Sequence, residues 1–338
     1  MACAMCLSAF KVTMSAQELA YAQRVVMVKP EGSAFRVTDV IKGAVQANAL
    51  IDEHVARLDA TASVSSKPLL LIREDRWVQW VNMGPVGAEH AAWLRQLASG
   101  GPARQLTRAQ QEARIAFLLP SLESADPMVA RIAYGEIAGL DYGAMRAAKA
   151  GIDVKAVRRW LADPELEERR DLYFLLLGLS GNVSDAESIE RRIQASWKAG
   201  DATNLAALLA ADLELRGPSR LDWIEQSYLL NRRRSLEEQR AAVMALGEMG
   251  TDDSAIPRAR VIEIYRRLVA RRSPTAGLAA GDLALWQVWD LAPQYVALVR
   301  DNVAMSPYAQ LTIFGYLRRN PRPDAKAGLA WIESHSKP

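Results

Sequence analysis

Cys3-Ala4-Met5-Cys6 places two thiols three residues apart, and Cys3 and Cys6 are the two cysteines of the chain. That spacing can close a small disulfide, chelate a metal or run thiol exchange. Met5 and Met14 add soft thioethers, so copper(I) is the metal this set would hold best, with zinc as the other choice. A closed zinc centre takes four ligands, and His54, His90 and His335 are the histidines on offer. Exchange enzymes put the first thiol of such a pair at a helix start behind a strand, and nothing precedes Cys3 that could form one. The reading stays open between a structural disulfide, a copper or zinc site, and thiols that are unpaired, lipid-attached or exchanging. No cofactor is required by the pattern.

The second set of candidates joins aromatic and cationic side chains. Trp223 and Tyr228 fall beside Arg232, Arg233 and Arg234, while Trp286 and Trp289 share a helix face. Exposed aromatics next to arginines make a protein-binding hot spot, whereas a tryptophan on a helix otherwise packs in the core. Arginine doublets recur at 158–159, 169–170, 191–192, 266–267, 271–272 and 318–319, with glutamates such as Glu167, Glu190, Glu238 and Glu263 close by to pair with them. Net charge is only +3, and up to Met83 nine basic residues face eight acidic ones, so no nucleic-acid partner is expected. The histidines lie too far apart for a triad, and the short Gly84-x-x-Gly87 and Gly178-x-x-Gly181 are not phosphate loops. No catalytic residue is assigned, and the chain is not expected to be an enzyme.

What must position these residues is a recurring helical unit. Helix-start signals fall at Asp126, Asp163, Asp201, Ser235, Ser273 and Ser306, at intervals of 37, 38, 34, 38 and 33 residues. Pro127, Pro164, Pro274 and Pro307 follow four of them, the order favoured by an N-cap and first helical position. Each interval holds two short helices and two turns, which predicts a stacked repeat of about six pairs. Second helices are expected at 154–161, 186–199, 220–230, 258–270, 293–304 and 324–332. The variable period and fragments such as Asp126-Pro127-x-x-x-Arg131-x-Ala133-x-x-x-Ile137 resemble HEAT repeats.

Ahead of the helices, Glu18 to Val86 reads as β structure. Arg24 to Lys29 is β-branched and ends at Pro30-Glu31-Gly32-Ser33, and Phe35 to Gly43 alternates behind it. Leu69 to Ile72 and Trp77 to Val81 predict a later hairpin, after a long excursion from Gln46 to Ser66. This suits a small open barrel. The segments Ala-Gln-Arg-Val-Val-Met-Val and Ser-Ala-Phe-Arg-Val-Thr-Asp-Val-Ile-Lys-Gly resemble the opening hairpin of bacterial domains related to netrin modules and tissue inhibitors of metalloproteinases. That resemblance implies an oligonucleotide-binding-type barrel in an exported protein, with metalloprotease inhibition as an alternative role. The animal inhibitors chelate zinc through an N-terminal Cys-x-Cys; here the spacing is Cys-x-x-Cys behind Met1-Ala2, and no chelating residue is carried over.

The expected fold is α+β and mainly α. It comprises a β-barrel-like domain at 1–87, capping helices at 88–120 and a HEAT-like α-solenoid at 121–338. The apolar start MACAMCLSAF lacks a basic leading region and reads as a mature periplasmic or secreted chain without its signal; a cytoplasmic chain with an apolar first strand is the alternative. No apolar run reaches the roughly 20 residues of a membrane span, though a lipid on a cysteine would tether the chain. The leading expectation is a non-enzymatic scaffold that holds a protein or peptide partner.

Overall fold

A computed structural model describes residues 18–52, 54–57, 66–75, 79–251, 253–301 and 303–335. Cys3, Met5, Cys6 and Met14 lie outside them. The chain divides into two compact units, 1–153 and 154–338. The expected boundaries at 87/88 and 120/121 fall inside the first.

In the first unit six strands form one curled sheet, a half-barrel. They are β1 (Arg24–Glu31), β2 (Ala34–Lys42), β3 (Leu50–Ile51), β4 (Val55–Arg57), β5 (Leu69–Arg73) and β6 (Trp80–Pro85), in the order β3-β2-β1-β5-β6-β4. All pairings are antiparallel except β4 with β6. Register shifts at Val25/Val26 and Met27/Val28 curl the β1–β2 hairpin, because an extra residue on one strand bends it and adds twist. The excursion between β2 and β5 is thus partly strand, since β3 and β4 pair with the two outer flanks. Beyond Val81 the expected final strand runs on to Pro85, and Trp77 and Val78 fall outside the described residues. Gly43 ends β2 with φ +85, where a side chain would run into the Gln23 carbonyl oxygen.

Val25, Val26, Met27 and Val28 are all buried, so both sheet faces are covered. One face packs Val26, Val28, Val37, Ile51, Leu71 and Trp80 inside the curl. Against β2 lies α1 (Ala91–Ser99), whose Arg95 donates to the Val40 carbonyl at 3.0 Å and to Asp39 at 2.6 Å. Helices α2 (Arg108–Leu118), α3 (Pro127–Ala138) and α4 (Tyr142–Ala147) complete the unit.

Asp126 ties the sheet to these helices. Its Oδ1 caps α3 by accepting from Met128 N at 3.0 Å, and its Oδ2 accepts from Gly87 N at 2.8 Å and Lys67 Nζ at 3.0 Å. Burial pushes the carboxyl up, but the Gly87, Lys67 and Met128 donors outweigh it and hold Asp126 below the usual carboxylate range. Asp126→Ala removes a cap and leaves a buried N–H at Gly87 unsatisfied, a loss of about 2–4 kcal/mol in urea unfolding at pH 7. A depressed carboxyl stabilises above its unfolded pKa and stops doing so as pH falls through its folded value. The gap between the two proteins should therefore narrow when the titration is repeated near the acid limit of the fold.

The second unit is helical. It runs through α5 (Val154–Ala162), α6 (Arg170–Ser180), α7 (Val183–Ala199), α8 (Leu205–Arg216), α9 (Leu221–Ile224), α10 (Leu236–Met249), α11 (Arg258–Ala270), α12 (Ala280–Leu285), α13 (Ala292–Arg300), α14 (Pro307–Arg319) and α15 (Pro323–His335). Helix α6 packs on α8, α8 on α10, and α12 on α14, while α7 packs on α8, α11 on α13, and α13 on α15. The inner sides of α5 to α10 are largely apolar, with Asp171, Asp185, Asp212, Glu238 and Gln239 buried among them.

Four of the six start signals cap as expected. Asp163 accepts from Glu165 N, Ser306 from Ala309 N, and Ser235 forms a reciprocal capping box with Glu238, alongside Asp126. The other two make turns short of the helix. Asp201 accepts from Thr203 N at 2.8 Å, and α8 starts later, behind Asn204 with φ 57. Ser273 accepts from Thr275 N, and a 3-10 turn at 276–279 precedes α12. Thr275 is held there because its buried hydroxyl bonds Gln239 on α10.

Candidate functional site

Of the aromatic and arginine candidates, Trp223 and Arg234 gather around Tyr228. A single π turn, Glu225–Leu229, continues α9 and turns Tyr228 fully inward. Such turns recur at functional positions because the extra residue re-aims a side chain. Trp197 and Trp223 meet the Tyr228 ring edge-on, at centroid distances of 5.3 and 5.7 Å. Each tryptophan carries a guanidinium on its face: Arg234 lies 3.6 Å from the Trp197 centroid and Arg220 lies 4.1 Å from that of Trp223.

Both guanidiniums are anchored by acids. Arg234 donates to Glu238 at 2.9 Å and to the Trp197 carbonyl at 3.0 Å. Arg220 pairs with Glu190 at 2.9 Å and with Asp212 at 2.5 Å, and Asp212 is wholly buried. Arg216 joins the same network through Glu190 and Asp212. Burial, reinforced by Glu238, pushes the Tyr228 phenol far above its ordinary pKa despite Arg234 and Arg220. Tyr228 therefore stays protonated and cannot act as a base. Three arginines face three acids, and these pairs tie α7, α8, α9 and α10 together.

Arg232 and Arg233 stand exposed on the turn before α10, and Trp223 is half-buried. Trp286 is also half-buried, stacked on Tyr265 at 5.9 Å, and Arg258 lies over its other side at 5.6 Å. Trp289 packs against Tyr316 at 5.5 Å, and its carbonyl accepts from Asn320. The seven candidates thus fall in two places, and most of their aromatic surface faces the interior. Four arginines of the doublets are consumed in pairs between elements: Arg158 holds Asp185, Arg266 holds Asp290, Arg267 holds Glu225 and Arg272 holds Asp301.

Sequence reasoning placed a helix start at Ser306 but missed the exposed apolar face of α14. Its buried stripe is Ala309, Ile313, Tyr316 and Leu317, at the spacing of one helix face. On the opposite side Tyr308 is 61 % exposed and Leu311 67 % exposed, and a side chain at Gly315 would meet nothing. Leu285 on the adjoining α12 is exposed as well. At the far end of the same stripe stand Arg318 and Arg319, with no acidic partner among the described residues. The signal was readable: Pro307 to Leu317 carries apolar residues on two faces rather than one.

Among the described residues no three His, Cys, Asp or Glu side chains gather as a metal site, and no helix is long and apolar enough to cross a membrane. Neither the family models, the curated proteins nor the solved structures offer a match to this chain.

Proposed function

We propose that this chain is a non-enzymatic binding scaffold, whose HEAT-like helical stack holds a helical segment of a protein or peptide partner along α14. The observation that carries this reading is the second apolar stripe, Tyr308 and Leu311, left open on a helix whose first stripe is already buried. Gly315 allows close approach of a partner backbone, and the unpaired Arg318 and Arg319 favour acidic residues at that end of the partner. Exposed apolar stripes rimmed by charge are characteristic of protein contacts rather than of catalysis.

Selection of amphipathic helical peptides from a displayed library on the full chain tests the assignment. Peptides enriched on the wild type should carry acidic residues and lose at least tenfold in affinity, about 1.4 kcal/mol, for Leu311→Asp. The same change touches no core contact, so the thermal midpoint should stay nearly constant. Peptides that bind the wild type and Leu311→Asp equally would remove α14 as the docking face.

A further inference from the structure

Asp282 on α12 is half-buried, and its carboxylate points toward α10 and α11. Its carboxylate lies against Gly247 of α10, where a Cβ atom would collide with Oδ2. One turn later Trp286 lies over Gly250 of the same helix, 2.5 Å from where a Cβ would stand. The two glycines therefore form a seat for two side chains of the short α12, and Tyr265 of α11 touches both of them.

The oxygens here outnumber the protons. The Tyr265 hydroxyl lies 3.0 Å from the Val243 carbonyl oxygen and 2.9 Å from Asp282 Oδ2. A phenol has one proton to give, so an ionised Asp282 and the Val243 carbonyl compete for it. Adding one proton completes the chain: Asp282 donates to Tyr265, and Tyr265 donates to Val243. Tyr265 cannot release its own proton, because burial and the neighbouring Asp282 hold it well above the ordinary phenol range.

Among the described residues no cation pairs with the carboxylate. From α10 it meets backbone and Gly247, and from α11 it meets Tyr265. On α13 the titratable neighbour is Tyr295, whose hydroxyl donates to the Ala276 carbonyl. Arg258 is committed to the Gly250 carbonyl at 2.7 Å. Desolvation, partly offset by Tyr265, accordingly raises Asp282 from 3.8 to about 6.

We propose that Asp282 is a proton-operated latch on α12: with a neutral carboxyl it donates to Tyr265 and clamps the helix into the Gly247–Gly250 seat, and on ionisation the clamp loosens. A raised carboxyl stabilises the closed state fully below its unfolded pKa and loses that contribution as pH rises through its folded pKa. Acid closes the latch.

The test uses the full chain, wild type and Asp282→Asn, with amide exchange read at Ala284, Leu285 and Trp286 and corrected for intrinsic rate. Opening in the wild type should become tenfold easier per pH unit between about 4 and 6, levelling off at about 100-fold. The Asn variant keeps donor and acceptor without titrating, and should stay near the closed value throughout. Equal pH dependence in the two proteins overturns the latch. Independently of any variant, the Asp282 carboxyl carbon of the labelled wild type should titrate near 6; a midpoint near 3.8 overturns it as well.

Discussion

Arg114→Met should lower the stability of the first unit by about 3–5 kcal/mol, the cost of stripping one partner from a fully buried ion pair. Arg114 and Glu136 are 7 % and 4 % exposed and meet at 3.0 Å. Arg114 also donates to the Gly101 carbonyl at 2.8 Å, and its second terminal nitrogen reaches toward the Leu97 carbonyl. One guanidinium thus closes the end of α1 and bridges α2 to α3. Without it, burial, which already pushes the Glu136 carboxyl up, acts unopposed. Glu136 would then protonate and stay stranded among apolar neighbours. Replacing both residues, Arg114→Met with Glu136→Leu, should recover more than half of the loss, because the buried carboxyl is gone and only the Gly101 and Leu97 carbonyls lose a donor. Urea unfolding of the three proteins reads the comparison directly. A single-variant loss below about 1 kcal/mol would mean that water reaches the pair.

Gly178→Val should cost about 3 kcal/mol by prising α6 from α8. A Cβ at Gly178 would stand 2.7 Å from the Ala211 Cα and 3.0 Å from its Cβ, so the obstacle is backbone rather than a side chain that can swing away. Both helices are buried on nearly every side at this point, and neither has room to retreat. Gly281→Ala on α12 is the matched control. There a Cβ meets nothing, and the gain in helix propensity should stabilise by up to about 1 kcal/mol. Thermal unfolding of the two variants should move in opposite directions. Equal shifts would show that the effect is one of backbone propensity alone.

Legibility from the sequence followed how local the cause was. Helix α11 occupies the expected residues 258–270, because Pro257 and the apolar stripe Val261, Ile264, Tyr265 and Leu268 set it within its own length. Ser235 with Glu238 is equally self-contained. The α+β, mainly α class emerged from the same local signals, half-barrel first and helices after. By contrast, the fate of Tyr228 depends on Trp197 and Glu238 in other helices, and no spacing announces that they meet. Arginine pairing across turns, such as Arg267 with Glu225, is hidden for the same reason. The exposed stripe of α14 lay between these cases: the second row of apolar residues was visible, but which row would be covered was decided by packing on α12.

The shortness of β3 and β4 has a protective consequence. They flank the sheet with two and three residues, and the longer β1 and β5, rich in valine and leucine, are enclosed between neighbours. A stray chain seeking to extend the ladder would meet only the two or three residues of β3 or β4, while the stretch of β2 beyond β3 carries α1, whose Arg95 takes the Val40 carbonyl. The segments most capable of amyloid-like association are therefore sequestered wherever the half-barrel is intact, and the hazard returns only on unfolding.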